Sequence, residues 1–122
     1  MISPRSLRLP GDYKLFMRNK KIEFKETNIL SGVLSAVDVL YITRIQKERF
    51  PSMAAYNKVE DAFIIDNKIL KKLKKKAVIM HPLPRLAEIN TEIDGDPRAA
   101  YFRQAQNGLY VRMALLQGVL GK

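Results

Sequence analysis

The apolar run Ala77-Val78-Ile79-Met80 ends on His81-Pro82-Leu83-Pro84-Arg85, and this junction restricts the fold more than any other stretch. Four apolar residues closed by a turn signal predict a buried strand over Ala77–Met80. Two prolines around one leucine then stop it. Proline holds φ at about −65° and has no amide hydrogen, and the residue before a proline is pushed out of the helical region. The turn is stiff, lacks two donors and keeps all its carbonyls. Such a turn either ends a strand and does nothing more, or holds an ammonium or amide group of a ligand.

A second apolar run, Val39-Leu40-Tyr41-Ile42-Thr43, follows Asp38 and is also of strand length. Between and around these two runs the pattern is helical. Pro10-Gly11-Asp12 predicts a turn or helix start, then a short helix over Tyr13–Lys20. Thr27-Asn28 can cap a helix to about Ala36, with Ile29, Leu30, Val33 and Leu34 on one face. Ser52–Ala62 and Asn67–Lys75 read as helices, and Phe63–Asp66 as a short strand or connection. Lys21–Lys25 alternates Ile22 and Phe24 with charge, the mark of a half-buried strand. Met1–Arg8 reads as extended, Arg44–Pro51 as a loop and Pro82–Pro97 as mostly irregular. Asp96-Pro97 places a cap and a first-turn proline before a long helix, Arg98 to about Leu120, interrupted by Gly108. Its apolar positions include Tyr101, Phe102, Ala105, Leu109, Val111, Leu115, Leu116 and Val119.

Strands alternating with helices predict an α/β fold: a three-layer, mostly parallel, Rossmann-like sheet with helices on both faces. In such sheets ligands bind beyond the carboxyl ends of the strands. The loops Arg44–Arg49 and His81–Arg85 each follow a strand directly, so both are expected on one edge, facing one pocket.

The 122 residues fit one domain, and 47% are apolar, enough for a core. No long uncharged apolar stretch predicts a membrane span, and the first residues lack the apolar centre of a signal peptide. Cysteine is absent and His81 is the sole histidine, so thiolate metal sites, disulfides and a Ser-His triad have little to work with. No metal and no cofactor are expected, and a cytoplasmic protein fits best. The net charge of +10 points to anionic partners. Much of the excess sits in Lys68, Lys71, Lys72, Lys74, Lys75 and Lys76, which read as a solvated helix end. No nucleic-acid module or glycine-rich phosphate loop accompanies them, so nucleic acid is not the expected partner.

Chemistry concentrates in the first loop. Arg44 and Gln46 are two apart, so in an extended segment they point the same way. A guanidinium fork with a neutral amide beside it suits a small dicarboxylate. Lys47 and Arg49 lie on the other side, and Glu48 can hold an arginine in place. The second loop adds the Pro82 and Leu83 carbonyls, with Arg85 and Glu88 beyond. The same spacing also fits a solvated loop of i,i+4 charge pairs. Residue types alone favour a small anion and give no reaction.

Three runs carry more. Asp38 to Phe50 (DVLYITRIQKERF), Val78 to Ile89 (VIMHPLPRLAEI) and Asp96 to Leu116 (DPRAAYFRQAQNGLYVRMALL) resemble, in that order, the C-terminal part of aspartate carbamoyltransferase. Within that family the runs look most like the version in the animal multifunctional pyrimidine-synthesis protein. Ser6-Leu7-Arg8-Leu9-Pro10 fits too, so nearly the whole chain, residues 1–122, resembles the aspartate-binding domain.

The resemblance implies a transferase that moves a carbamoyl group from carbamoyl phosphate to the amino group of L-aspartate, in pyrimidine biosynthesis, without a metal. It implies that Arg44 and Gln46 grip the aspartate side-chain carboxylate and that Glu48 and Glu88 orient Arg44. Pro82 and Leu83 would offer carbonyls to amino groups, with the Leu83–Pro84 bond cis. Lys47 and Arg49 would belong to a mobile loop, Arg49 helping to tie two domains together; Arg85 would lie in support. His81 reads as a structural residue at the strand end, not a general base. Ornithine carbamoyltransferases share the fold, but their proline turn carries a reactive cysteine where this chain has none.

The resemblance also implies gaps. The carbamoyl-phosphate domain, its Ser-Thr-Arg-Thr motif, a loop donated by a neighbouring subunit and the first strand–helix unit of the aspartate domain have no counterpart in these residues. The expectation is an incomplete domain with an open sheet edge, an exposed apolar face on the long helix, and little or no turnover by itself. Partners would be other carbamoyltransferase chains, which form trimers in the family. The remaining alternative is a non-catalytic module that pairs with a full-length enzyme subunit.

Overall fold

The computed structural model describes residues 1–121, which form two compact units, residues 1–33 and residues 34–121. In the first, a 3-10 turn at Arg5–Leu7 leads to helix α1, Gly11–Asn19. The helix starts two residues before the expected Tyr13. Pro10 stands before it as the N-terminal cap, with φ −55° and ψ 154°. Lys21 closes it with φ 55°. Its amide donates to the Arg18 carbonyl and that of Ile22 to the Met17 carbonyl, both at 2.9 Å, which is the Schellman closure.

That closure explains why the strand expected over Lys21–Lys25 does not form. The Ile22 amide is spent on the helix end. Only Thr27 bridges, in parallel, to Ile2, with Ser3 donating to the Thr27 carbonyl at 3.1 Å. Glu26 ties the segment to α1 through Lys14 at 2.7 Å and takes the Leu9 amide at 2.8 Å. None of residues 1–33 is buried.

The helix expected from Asn28 to Ala36 is also absent. Residues 31–36 are turns, with Val33 donating to the Leu30 carbonyl. Ser31 and Gly32 fall in its middle, and glycine disfavours a helix by about 1 kcal/mol relative to alanine.

The second unit is α/β around a parallel pair. Strand β1, Val39–Tyr41, pairs in parallel with β2, Val78–Met80, in the register Val39–Val78, Leu40–Ile79 and Tyr41–Met80. The Val78 amide donates to Asp38 and that of Ile42 to Met80, at 2.8 and 2.9 Å. On its other side β2 meets residues 98–100: the Ile79 amide donates to the Arg98 carbonyl and the Ala100 amide to the Ile79 carbonyl. A separate bridge joins Ile65 to Ile89. The paired strands are thus fewer and shorter than the three-layer expectation.

This second pairing corrects the N-terminus of the long helix. Residues 98–100 are committed to Ile79, so helix α4 runs from Tyr101 to Leu120 and is capped by Ala100. Asp96 instead closes a local turn, its carboxylate taking the Arg98 amide at 2.9 Å. Two other helices are shorter than expected. Helix α2, Met53–Asn57, begins at Ser52, whose hydroxyl takes the Ala55 amide. Helix α3, Asn67–Leu70, begins at Asp66, whose carboxylate takes the Ile69 amide. The lysines after Leu70 repel one another at i,i+3 and i,i+4, which favours unwinding.

The core holds Leu34, Leu40, Ile65, Leu70, Leu73, Ile79, Ile89, Ile93 and Tyr101. Strand β1 alternates: Leu40 is buried, whereas Val39 and Tyr41 are about half exposed at 51% and 54%. One sheet face therefore stays open, with a shallow hollow of ≈ 320 Å³ lined by Val78, Met80, Ala100, Arg103, Gln104 and Asn107. Helix α4 is 20 residues long, but no helix among the described residues is long and apolar enough to cross a membrane. Beyond Tyr101 its large apolar side chains, Leu109, Val111, Leu115, Leu116 and Val119 among them, are exposed. An added Cβ at Gly108 would meet only the Arg112 side chain, so no second backbone packs there.

Ile79 has no exposed surface. Ile79→Ala is expected to lower unfolding free energy by about 2–5 kcal/mol. Leu116→Ala, on exposed helix, should change it by no more than about 0.5 kcal/mol. Urea titration of both variants checks the contrast.

Candidate functional site

Parallel pairing sends both strands out at one carboxyl rim. Tyr41 lies beside Met80, so the chain leaving Ile42 toward Arg44 and the chain leaving Met80 toward Pro82 emerge together. On the first loop, residues 42–46 carry no regular structure and Lys47–Arg49 is a 3-10 turn. Arg44 donates to Glu48 at 2.8 Å across one turn. The arginine side chain is 35% exposed, the glutamate 56%. The Glu48 carboxyl is held below its ordinary range by a backbone hydrogen bond within its own residue and by the Arg44 charge. Gln46 is half-buried, and Lys47 and Arg49 are exposed without an ion-pair partner among the described residues.

On the second loop the Leu83–Pro84 bond is cis, as the resemblance implies, and Leu83 has φ 51°. A leucine in the left-handed region is disfavoured by about 1–3 kcal/mol, so its surroundings must hold it. They do. The Leu83 amide donates to His81 Nδ1 at 2.9 Å, and His81 Nε2 lies 2.8 Å from Glu88 Oε1. The Leu86 amide donates to both Glu88 oxygens at 3.1 Å. The His81 amide donates to Gln104 of α4 at 2.9 Å, and the Gln104 amide group donates to the Tyr41 hydroxyl at 3.2 Å. Among the described residues, no protein donor reaches the Pro82 or Leu83 carbonyl.

This arrangement corrects one expectation. Among the described residues Arg44 pairs with Glu48 and not with Glu88, which is buried and committed to His81 and Leu86. A buried carboxylate goes where donors are fixed, and the histidine ring and a backbone amide are fixed donors here. His81, only 1% exposed, is the buried strand-end residue that its position predicts.

Arg85 is also committed. Its guanidinium grips Asp94 with both terminal nitrogens, the NH2–Oδ2 contact at 2.6 Å. The Tyr101 hydroxyl donates to Asp94 at 2.5 Å. The arginine lies 5.5 Å from the Tyr101 ring centre and 5.8 Å from that of Phe102. The Arg85 hydrogen bonds hold the Asp94 carboxyl at about 2, down from an ordinary 3.8. Burial, and then the Asp94 carboxylate, push the Tyr101 hydroxyl up to about 12. Sequence reading marks Tyr101 only as an apolar helix position and does not mark Asp94. The only signal is an arginine with an aspartate nine residues on, across an irregular stretch.

The second unit is therefore an α/β domain with a basic loop and a carbonyl-bearing turn on one carboxyl rim, the layout of a small-ligand-binding domain. Comparison with known proteins gives its kind. Residues 6–119 match the family described as aspartate/ornithine carbamoyltransferase, Asp/Orn binding domain, and the chain belongs to that family. It is 53% identical over 121 residues to multifunctional protein CAD of Squalus acanthias, covering 99% of this chain and 5% of that protein. It is 47% identical over 121 residues to the aspartate carbamoyltransferase catalytic subunit of Finegoldia magna, covering 99% of this chain and 40% of the subunit. The catalytic subunit of M. jannaschii aspartate transcarbamoylase superposes with a TM-score of 0.87 at 42% identity, over 98% of this chain and 40% of that one. The Trypanosoma cruzi enzyme in complex with carbamoyl phosphate and aspartate superposes at 0.81 with 40% identity, over 94% and 39%. The chain thus spans about two fifths of the single-enzyme catalytic chains that it resembles.

The Asp94 position gives an acid-side prediction. As pH falls below 3.8 the unfolded chain takes up this proton first, while the folded chain resists until about 2. The stabilisation is complete above 3.8 and fades between 3.8 and 2. Denaturant midpoints of the wild type and Asp94→Asn should therefore differ most near neutrality and converge across that window.

Proposed function

We propose that this chain supplies the aspartate-binding part of an aspartate carbamoyltransferase. The carrying observation is the shared rim: in-register β1 and β2 deliver the Arg44 loop and the Pro82–Pro84 turn to one edge. Arg44 and Gln46 bind the side-chain carboxylate of L-aspartate. Glu48 holds the Arg44 fork until the carboxylate arrives. The Pro82 and Leu83 carbonyls accept hydrogen bonds from the substrate amino groups, while Pro84 fixes the turn. Lys47 and Arg49 add positive potential in a loop that closes over the site, and Arg85 supports the turn through Asp94.

In the reaction so assembled, the neutral α-amino nitrogen of aspartate attacks the carbonyl carbon of carbamoyl phosphate. The C–N bond forms, the bond from the carbonyl carbon to the phosphate oxygen breaks, and phosphate leaves with the proton that the amine gives up. These residues contribute alignment of the amine and exclusion of water. Carbamoyl phosphate is bound by a domain outside them, so the chain by itself binds aspartate without turning it over. In the assembled enzyme the β1–β2 pair belongs to a wider, three-layer parallel sheet, and chains associate as trimers in the cytoplasm to serve pyrimidine biosynthesis. The cysteine-free proline turn and the basic loop favour aspartate over the cationic ornithine side chain.

Calorimetric titration with aspartate or succinate tests the reading. The wild type should give a binding heat that Arg44→Ala loses, with circular dichroism unchanged because Arg44 lies outside the buried core and its hydrogen bond is to the exposed Glu48. Equal heats from both proteins would remove aspartate binding from the account.

A second reading is favoured by the exposed apolar side chains of α4. Here the domain is a non-catalytic partner of a full-length carbamoyltransferase subunit. Co-purification with such a subunit, together with no aspartate heat, is the outcome that would select it.

A further inference from the structure

We infer that His81 is a positioning residue: its ring anchors the Leu83 amide and thereby aims the Pro82 carbonyl into the aspartate site. The inference rests on the aspartate reading above and extends it to a buried side chain that does not touch the ligand.

The ring has each nitrogen assigned. An amide N–H can only donate, so Nδ1, 2.9 Å from the Leu83 nitrogen, is the bare acceptor. The ring proton therefore sits on Nε2 and is donated to Glu88 at 2.8 Å. Glu88 cannot turn away, because the Leu86 amide donates to both of its oxygens. The His81 backbone is fixed in turn by the end of β2 and by Gln104.

This anchor has a directional consequence. The Pro82–Leu83 peptide is trans. In a planar trans peptide the N–H and C=O point opposite ways. With the Leu83 N–H held against a buried ring, the Pro82 carbonyl points away from that ring, and among the described residues no protein donor takes it. The same hydrogen bond holds Leu83 at φ 51°, a conformation a leucine would not keep unaided. Glu88, which the family pattern assigns to Arg44, acts here through the turn instead.

Two substitutions separate the ring's roles. In His81→Asn the side-chain oxygen stands near Nδ1 and still accepts from Leu83. In His81→Gln the amide nitrogen stands near Nε2 and still donates to Glu88, but the acceptor is lost. The asparagine variant should keep slow exchange of the Leu83 amide and aspartate affinity within about threefold of wild type. The glutamine variant should lose that protection and about tenfold or more in affinity. A merely space-filling histidine would not produce this order.

Nitrogen-15 NMR of the wild-type ring gives a readout that needs neither variant nor ligand. It should show the Nε2–H tautomer together with a protected Leu83 amide. An Nδ1–H tautomer, an unprotected Leu83 amide, or a glutamine variant that binds like wild type would overturn the inference. Equal aspartate heats from wild type and Arg44→Ala, with the tautomer and protection intact, would instead sink the aspartate reading and leave the anchor standing.

Discussion

Ile79 is the residue about which the second unit is organised. Its strand is paired on both sides, to β1 through the Leu40 register and to residues 98–100 through two hydrogen bonds. Its side chain is fully buried. A backbone satisfied on both edges, with an apolar side chain beneath, leaves β2 no freedom to slip: a one-residue shift would turn Ile79 outward and bring Val78 or Met80 in. The in-register pairing sets the carboxyl rim, and the rim brings the Arg44 loop and the proline turn together. The start of α4 is set by the same strand, because residues 98–100 pair with it before the helix can begin.

Polar order around this centre is of two kinds. Two groups of buried or half-buried side chains are closed into sets. His81 with Glu88 is one such set, and Arg85 with Asp94 and Tyr101 is another. Among the described residues, no buried side-chain nitrogen or oxygen is left without a partner. The basic loop behaves differently. Arg44 has one exposed partner, and Lys47 and Arg49 have none among the described residues. An exposed pair of this type is worth little to stability, so the arginine can exchange its glutamate for another carboxylate at small cost. The closed sets hold shape, and the open loop keeps its cations free to change partners.

The residues announce some of this directly. Ala77–Met80 followed by two prolines marks a strand and its abrupt end, and the structure has both. Val39–Tyr41, α1 and α4 are equally plain from their apolar spacing. What the spacing does not carry is competition for backbone groups. Ile22 and Phe24 alternate like a strand, but the Ile22 amide is taken by the end of α1. Asp96-Pro97 looks like a helix start, but Ala100 pairs with Ile79 first. The site divides in the same way. The juxtaposition of the two loops follows from strands leading into them, whereas the partner of a buried carboxylate does not. Glu88 lies seven residues from His81 across a turn whose path depends on the bond between them.

Arg98 shows what such a junction demands of a side chain. Its Nε and NH2 hold both oxygens of Asp96, and its NH1 donates to the Leu70 carbonyl at the last residue of α3. One planar cation therefore spans two pieces of chain 28 residues apart and braces the turn that feeds α4 against the helix before β2. A lysine would retain the charge but offers a compact ammonium with no fork, unable to meet three acceptors in that fixed fan. The requirement at this position is geometric, not electrical, and the basic excess elsewhere on the chain cannot substitute for it.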